Sequence, residues 1–359
     1  MQFGVSDTLP ESRKQWLIPF AVQLIPSGLL LFGALFVRES PRWLFGRGRR
    51  EEAIKNLCWI RQLPHTDIYI IEEIAAIDQA LEEQNACVGT GFWKPFQAAA
   101  TQPRIMWRLF IGFMLFFWQN CSGINAINYY SPIVFQSMGI TGSLNQIMTG
   151  VFGVIKTIVT LIWLLFLIDH FGRRNLLTVG AVGGSISLWV IGAYIQIEAP
   201  EEDPSTGLNN AGIMAIVFFY IYTAMFSPTW NGTPWVLNSE MFDPNMRSLA
   251  QAVASASNWL WNFLISRFTP QMFAQMEYGV YFFFASLMIC AIVFIFFLIP
   301  ETKSVPLERM DRLFETKPVW HAHGRIMQQL QEDEAEFRRE IQDSKLCDDK
   351  SREEFVEKA

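Results

Sequence analysis

Long stretches without a charged side chain alternate along this sequence with short charged clusters, and that layout constrains the fold more than any other feature. A hydrocarbon core about 30 Å thick needs roughly 20 apolar residues in a helix. Seven segments meet that length, approximately Trp16 to Val37, Phe110 to Met138, Met148 to Ile168, Leu176 to Ile197, Ala211 to Val236, Leu249 to Phe268 and Tyr278 to Ile299. Backbone groups in lipid must be satisfied within each segment, and the alternation of a β-barrel is not visible. The sequence therefore predicts an all-α membrane protein with seven transmembrane helices. The first span is not expected to be a cleavable signal peptide, because it is full length, follows polar sequence and precedes no small-residue cleavage site.

Composition narrows the function. Of 359 residues, 51% are hydrophobic and 17% charged, below the roughly 25% charged of ordinary soluble domains. A net charge of -6 argues against a nucleic-acid partner. Cys58, Cys87, Cys121, Cys290 and Cys347 show no CxxC spacing and read as reduced packing residues. His65, His170, His321 and His323 join no readable triad, so neither a catalytic constellation, a metal site nor a cofactor is expected.

Lys and Arg near span ends mark the cytoplasmic side. Arg38, Arg42, Arg47, Arg49 and Arg50 follow span one, Arg173 and Arg174 span three, Arg247 span five, and Lys303, Arg309 and Arg312 span seven. The loops around Gly139 to Gln146, Glu198 to Asn210 and Pro270 to Glu277 lack Lys and Arg, carry Glu201, Glu202 and Asp203, and face outside. Arg13 and Lys14 run against this count. The expected organisation is an extracellular segment over 1–15, a transmembrane helix over 16–37, a cytoplasmic helical loop over 38–108, six transmembrane helices over 109–299 and a cytoplasmic tail over 300–359. Within the loop, Ile68, Ile71, Ile74, Ile77 and Leu81 recur at helical spacing, as in an amphipathic helix. The tail beyond Glu315 reads as helical patches or disorder.

Polar residues at membrane depth are costly and commonly functional. Span two carries Gln119, Asn120, Ser122, Asn125, Asn128, Tyr129, Tyr130 and Ser131. Gln119, Ser122 and Asn125 share a helix face, with Tyr129 a turn further on. Such a stripe either binds a polyhydroxylated ligand or bonds neighbouring helices. Gly123 and Pro132 bracket it and predict a broken helix of the kind that lines transporter sites. Lys156 lies deep in span three, where a central Lys costs roughly 2.5 to 3.5 kcal/mol. Its partner could be a bound carboxylate, a carboxylate on a helix outside this chain, or a watery vestibule. Span five adds Trp230, Asn231, Gly232, Thr233, Pro234 and Trp235, and span six Asn258, Trp259, Trp261 and Asn262. Indole faces can stack on a ring while amides fix its hydroxyls; packing is the alternative for the tryptophans. Gly180, Gly183 and Gly184 read as close-packing glycines.

RESPRWL (Arg38 to Leu44), QNCSGINAINYYSP (Gln119 to Pro132), DHFGRR (Asp169 to Arg174), PWVLNSEMF followed by Arg247, NWLWNF (Asn258 to Phe263) and PETK (Pro300 to Lys303) occur in the order found in the sugar porter family of the major facilitator superfamily, which this chain resembles from Trp16 to about Glu308. The resemblance implies that the seven spans are helices six to twelve, one helix plus the C-terminal six-helix half of a fold that opens alternately to each side. By motif match, Gln119, Asn125, Tyr129, Trp235, Asn258, Trp259 and Asn262 would line the substrate site, with Asn120 and Lys156 as further members. Asn120 and Lys156 replace the Gln and Asn of most hexose porters, and the wording around them is similar to the fungal quinate permease branch. Quinate or a related ring acid is the implied substrate, with Lys156 on its carboxylate and a proton as coupling ion; a neutral hexose or pentose, or a non-transporting nutrient sensor, is the alternative. The lipid bilayer, as plasma membrane, is the remaining partner. Glu39, Arg42, Asp169, Arg173, Arg174, Glu240, Arg247 and Glu301 would form a cytoplasmic gate, although the arginines alone could serve topology. Helices one to five would precede residue 1, so a truncated chain, inactive alone, is expected.

Overall fold

A computed structural model describes residues 13–87, 93–137, 140, 142–198, 210–242, 244–306 and 309–332, and all regular elements among them are helical. The segment 1–12, the acidic Glu201, Glu202 and Asp203, Cys347 and the tail beyond 332 lie outside the described residues, as do the side chains of Cys87 and Asp169.

Helix α1 (Arg13–Ala34) leaves most of its described apolar side chains exposed, with Leu24 at 70% and Leu30 at 79%. Helices α2 (Pro41–Gly46), α3 (Arg50–Arg61) and α4 (Ile68–Cys87) gather around Leu44, Phe45, Ala53 and Ile77. Two ion pairs, Arg50 with Asp78 and Arg61 with Glu73, both at 2.7 Å, clip α3 to α4. Ile74 and Ile77 turn toward this small core as their spacing predicts, whereas Ile71 is exposed. Helix α5 (Lys94–Thr101) leads into the main bundle.

The bundle comprises α6 (Pro103–Cys121), α7 (Ile124–Ser137), α8 (Ser143–Ile162) continued by a π-helical turn over Trp163–Leu167 and the short α9 (Ile168–Phe171), α10 (Arg173–Glu198), α11 (Asn210–Phe226), α12 (Thr233–Glu240), α13 (Pro244–Met276) and α14 (Gly279–Leu298). Beyond it lie α15 (Met310–Glu315) and α16 over 319–332. Helix α10 packs between α11 and α14, while α6 lies along α13. The expected glycines make the close approach possible: a Cβ on Gly180 would sit 1.9 Å from Thr229 Oγ1, and one on Gly184 would meet the end of Met288. Polar ties cross the apolar core, where Trp230 Nε1 donates to the Leu177 carbonyl at 3.0 Å and Tyr222 to the Ser122 carbonyl at 2.9 Å. Buried Cys121 is a free thiol, as is exposed Cys290.

The predicted break between α6 and α7 is present. Gly123 adopts φ +85, a left-handed conformation that suits glycine, and a Cβ there would strike the Phe284 ring at 2.8 Å. A second kink follows at Tyr130 (φ -115, ψ 22), two residues before Pro132. Proline has no N–H and clashes with the preceding turn, so the ladder cannot continue straight.

Not all of the seven predicted spans have the length and apolarity of a membrane crossing by themselves. Among the described residues four helices are long and apolar enough to cross a membrane: Pro103–Gln136, Leu144–Leu167, Arg173–Glu198 and Gly279–Leu298. The run expected from Ala211 to Val236 ends as a helix at Phe226, because turns over 227–232 precede Thr233 and Pro234 at the start of α12. Helix α13 has the length, at 33 residues, but its Asn, Gln and Arg residues dilute its apolar character. The described apolar part of α1, Phe20–Ala34, is also short.

Candidate functional site

The break at Gly123 brings the polar ends of α6 and α7 together around a cavity of about 140 Å³ midway along the bundle. Its lining is Gln119, Asn120, Ile124, Asn125, Asn128, Lys156, Phe226, Asn231, Trp235, Asn258 and Asn262, drawn from six helices and the turn after α11. Seven of these residues are carboxamides, one is a cation, and none is acidic.

Hydrogen bonds hold the amides in place. Gln119 Nε2 donates to the Trp230 and Asn231 carbonyls at 2.8 and 3.3 Å, which leaves its buried Oε1 without a protein donor. Asn120 Nδ2 donates to the Phe116 carbonyl at 2.8 Å and to Asn258 Oδ1 at 3.0 Å, and Asn120 Oδ1 accepts from Asn125 Nδ2. Asn262 Oδ1 accepts from Ser266 at 3.1 Å. Lys156 Nζ donates to Asn128 Oδ1 at 3.3 Å. Trp235 makes a T-shaped contact with Phe116, with ring centroids 4.5 Å apart, and also lines the cavity. A concave space with fixed donors, acceptors and one aromatic wall is suited to a small polyhydroxylated ring.

Of the nine residues expected at a substrate site, the structure brings Gln119, Asn120, Asn125, Lys156, Trp235, Asn258 and Asn262 to this cavity. Tyr129 and Trp259 are not in its lining and are 57% and 67% exposed. Asn128 and Asn231 belong to the polar runs noted in the sequence. Ile124 and Phe226 carry no sequence signal, because an apolar residue in an apolar span is indistinguishable from packing.

A second cluster lies where α10 begins. Arg173 pairs with Glu240 at 2.8 Å, both largely shielded, and Thr302 donates to the other oxygen of Glu240 at 2.7 Å. Glu301 accepts from the backbone N–H groups of Arg173 (2.9 Å), Arg174 (3.1 Å) and Lys303 (3.1 Å). A carboxylate so placed satisfies open amides and faces the positive end of the helix dipole. Gly172 makes room for it, since a Cβ there would lie 2.6 Å from Glu301 Oε2. Arg247 Nε donates to the Ser239 carbonyl at 3.1 Å, and Arg174 to the Phe296 carbonyl at 2.9 Å. The structure thus gathers Arg173, Arg174, Glu240, Arg247 and Glu301. Glu39 and Arg42 are exposed beside α2 and α3, where the Glu39 carbonyl accepts from Asn56, and Asp169 is described only by its place in α9.

The family described as sugar (and other) transporter matches residues 2–314. Curated relatives include a probable quinate permease of Aspergillus flavus, 68% identical over 343 residues, and one of Aspergillus niger, 65% identical over 345. These alignments cover 95% and 96% of this chain but 64% of each relative's length. Among solved structures, the proton:xylose symporter XylE bound to 6-bromo-6-deoxy-D-glucose superposes with a TM-score of 0.70 at 28% identity, over 87% of this chain and 62% of that one. The inward-open conformation of the xylose transporter XylE from E. coli gives 0.56 at 26% identity, over 86% and 60%.

Proposed function

The chain belongs to the sugar transporter family of the major facilitator superfamily, a family of multi-pass membrane transporters rather than enzymes, and from that premise we propose that it serves a secondary active transporter for quinate or a related polyhydroxylated ring acid. The observation that carries this reading is the single ammonium of Lys156 in a cavity whose other polar side chains are amides and an indole. Amides suit hydroxyls and the Trp235 face suits a ring, but neither neutralises a buried cation. A ligand carboxylate does, and it offsets the cost of keeping Lys156 at membrane depth. The curated relatives of this chain named for quinate favour the same ligand.

In this reading the seven predicted helices act as one helix plus the C-terminal half of the fold, joined by the cytoplasmic region 38–108 and followed by a cytoplasmic tail. The cluster around Arg173, Glu240 and Glu301 closes the cytoplasmic end of the bundle in one state and releases it in the other, as a two-state element biased by ligand. Proton coupling and residence in the plasma membrane complete the proposal.

Uptake of labelled quinate by cells expressing this chain within a full-length permease tests the assignment. A hydrogen bond to a charged group contributes about 1.5–3 kcal/mol, so Lys156→Gln should lower quinate uptake by about ten- to a hundredfold. Unchanged uptake would remove the assignment. A neutral sugar is the second reading, favoured by the xylose and bromodeoxyglucose named for the solved relatives, and glucose and xylose uptake in the same cells decides it.

A further inference from the structure

We infer that Asn128 sets the charge selectivity of the cavity, by holding the Lys156 ammonium with a neutral acceptor and so keeping its full positive charge available to an anionic ligand. The inference rests on the reading of the cavity as a ligand site and goes further, assigning selection between anion and neutral ring to a pair of residues.

Asn128 lies on α7 between the break at Gly123 and the kink at Tyr130, and Lys156 lies on the neighbouring α8. Both line the cavity, with Nζ 3.3 Å from Asn128 Oδ1. An ammonium has three donors and no acceptor, so the amide must turn its oxygen to Lys156 and its NH2 group elsewhere. Among the described residues no carboxylate pairs with Lys156, and none lines the cavity. Asn128 therefore orients the cation without cancelling it. A ligand carboxylate can then take the free directions of the ammonium, while the Asn128 NH2 group can donate to a ligand oxygen.

The residue type matters because an aspartate has nearly the same shape. Asn128→Asp would place a carboxylate at the same separation, form an internal ion pair and leave the cavity without net charge. An incoming anion would then meet a satisfied cation and a repelling neighbour. A neutral ring would lose little, since its hydroxyls can still bond to both groups. If Asn128 merely tied α7 to α8, aspartate would serve equally well and both ligands would respond alike.

The experiment measures the affinity of quinate and of its neutral amide, quinamide, for a purified full-length permease containing this chain, read by tryptophan fluorescence, with ligand-free melting temperature as the control for folding. The unaltered chain should prefer quinate. Asn128→Asp should weaken quinate by about tenfold or more while quinamide stays within about threefold, so that the preference for quinate falls or is lost. Asn128→Ser, which is neutral, should keep the preference for quinate. If Asn128→Asp does not fold, Asn128→Glu repeats the comparison. Equal effects on both ligands, no effect, or loss of preference in Asn128→Ser would overturn the inference. An unaltered permease that does not bind quinate would instead sink the ligand reading on which the inference stands.

Discussion

Gly180 shows how much a single atom decides. Its missing Cβ is the space occupied by the Thr229 hydroxyl, whose Oγ1 would lie 1.9 Å away and which is itself bonded to the Met225 carbonyl at 2.6 Å. At Gly184 the obstacle is the flexible end of Met288. Gly180→Ala should therefore destabilise the chain by about 1–3 kcal/mol, and Gly184→Ala by less, because overpacking is severe only where the neighbour cannot move. Thermal unfolding in detergent ranks the two, and equal melting temperatures would contradict the argument. Residues of this kind were legible as glycines in a spanning helix. The amides and Lys156 were legible for a different reason, that polar groups in lipid need a partner. Tyr129 and Trp259 do not reach the cavity lining, and for Tyr129 the cause is geometric. Helical spacing counted from Gln119 holds only along an unbroken axis, and Gly123 redirects the axis between them.

Elements depend on how their ends are satisfied. Helix α10 opens on Glu301, which accepts from two of its first amides, and Glu301→Gln should weaken that end by about 0.5–2 kcal/mol, the range of a lost cap. Faster amide exchange at Arg173 and Arg174 is the readout. Gly172→Ala should do worse than Glu301→Gln, since it combines a strained φ of +82 with displacement of the carboxylate. Helix α7 presents the opposite case. Pro132 cannot bond to the carbonyl four residues earlier, that of Asn128, and Pro132→Ala restores the missing donor. The variant should straighten α7, carry Asn128 away from Lys156 and weaken quinate binding with no loss of thermal stability. Unchanged binding would show that the kink does not position the site. Glycine and proline made the break readable in advance. The early end of α11 was less so, because hydropathy counts apolar residues and is blind to the turns over 227–232 that interrupt them.

For the whole molecule, the mostly helical membrane architecture followed from the charge-free runs, while the packing of α1 did not. Most of its described apolar side chains are exposed, and apolarity alone cannot distinguish a lipid contact from a helix contact. Breaking the shielded Arg173–Glu240 pair with Glu240→Gln should open that end of the bundle, since removing one partner of a buried pair is costlier than the pair is worth. A cysteine at Ser304, which lines the adjoining space, should then react faster with a polar thiol reagent in Glu240→Gln than in the parent, and an unchanged rate would dismiss the latch. The neighbouring contact behaves differently. One carboxylate, Glu301, grips main-chain groups at the start of α10 and just past the end of α14, so those two rods are riveted, whereas Glu240 of α12 holds Arg173 and Thr302 through side chains alone. Any swing at this end must leave the riveted rods travelling together and be absorbed on the α12 side. In a full-length permease containing this chain, spin labels across the rivet should keep one spacing with and without quinate, and labels across the Glu240 contact should show two.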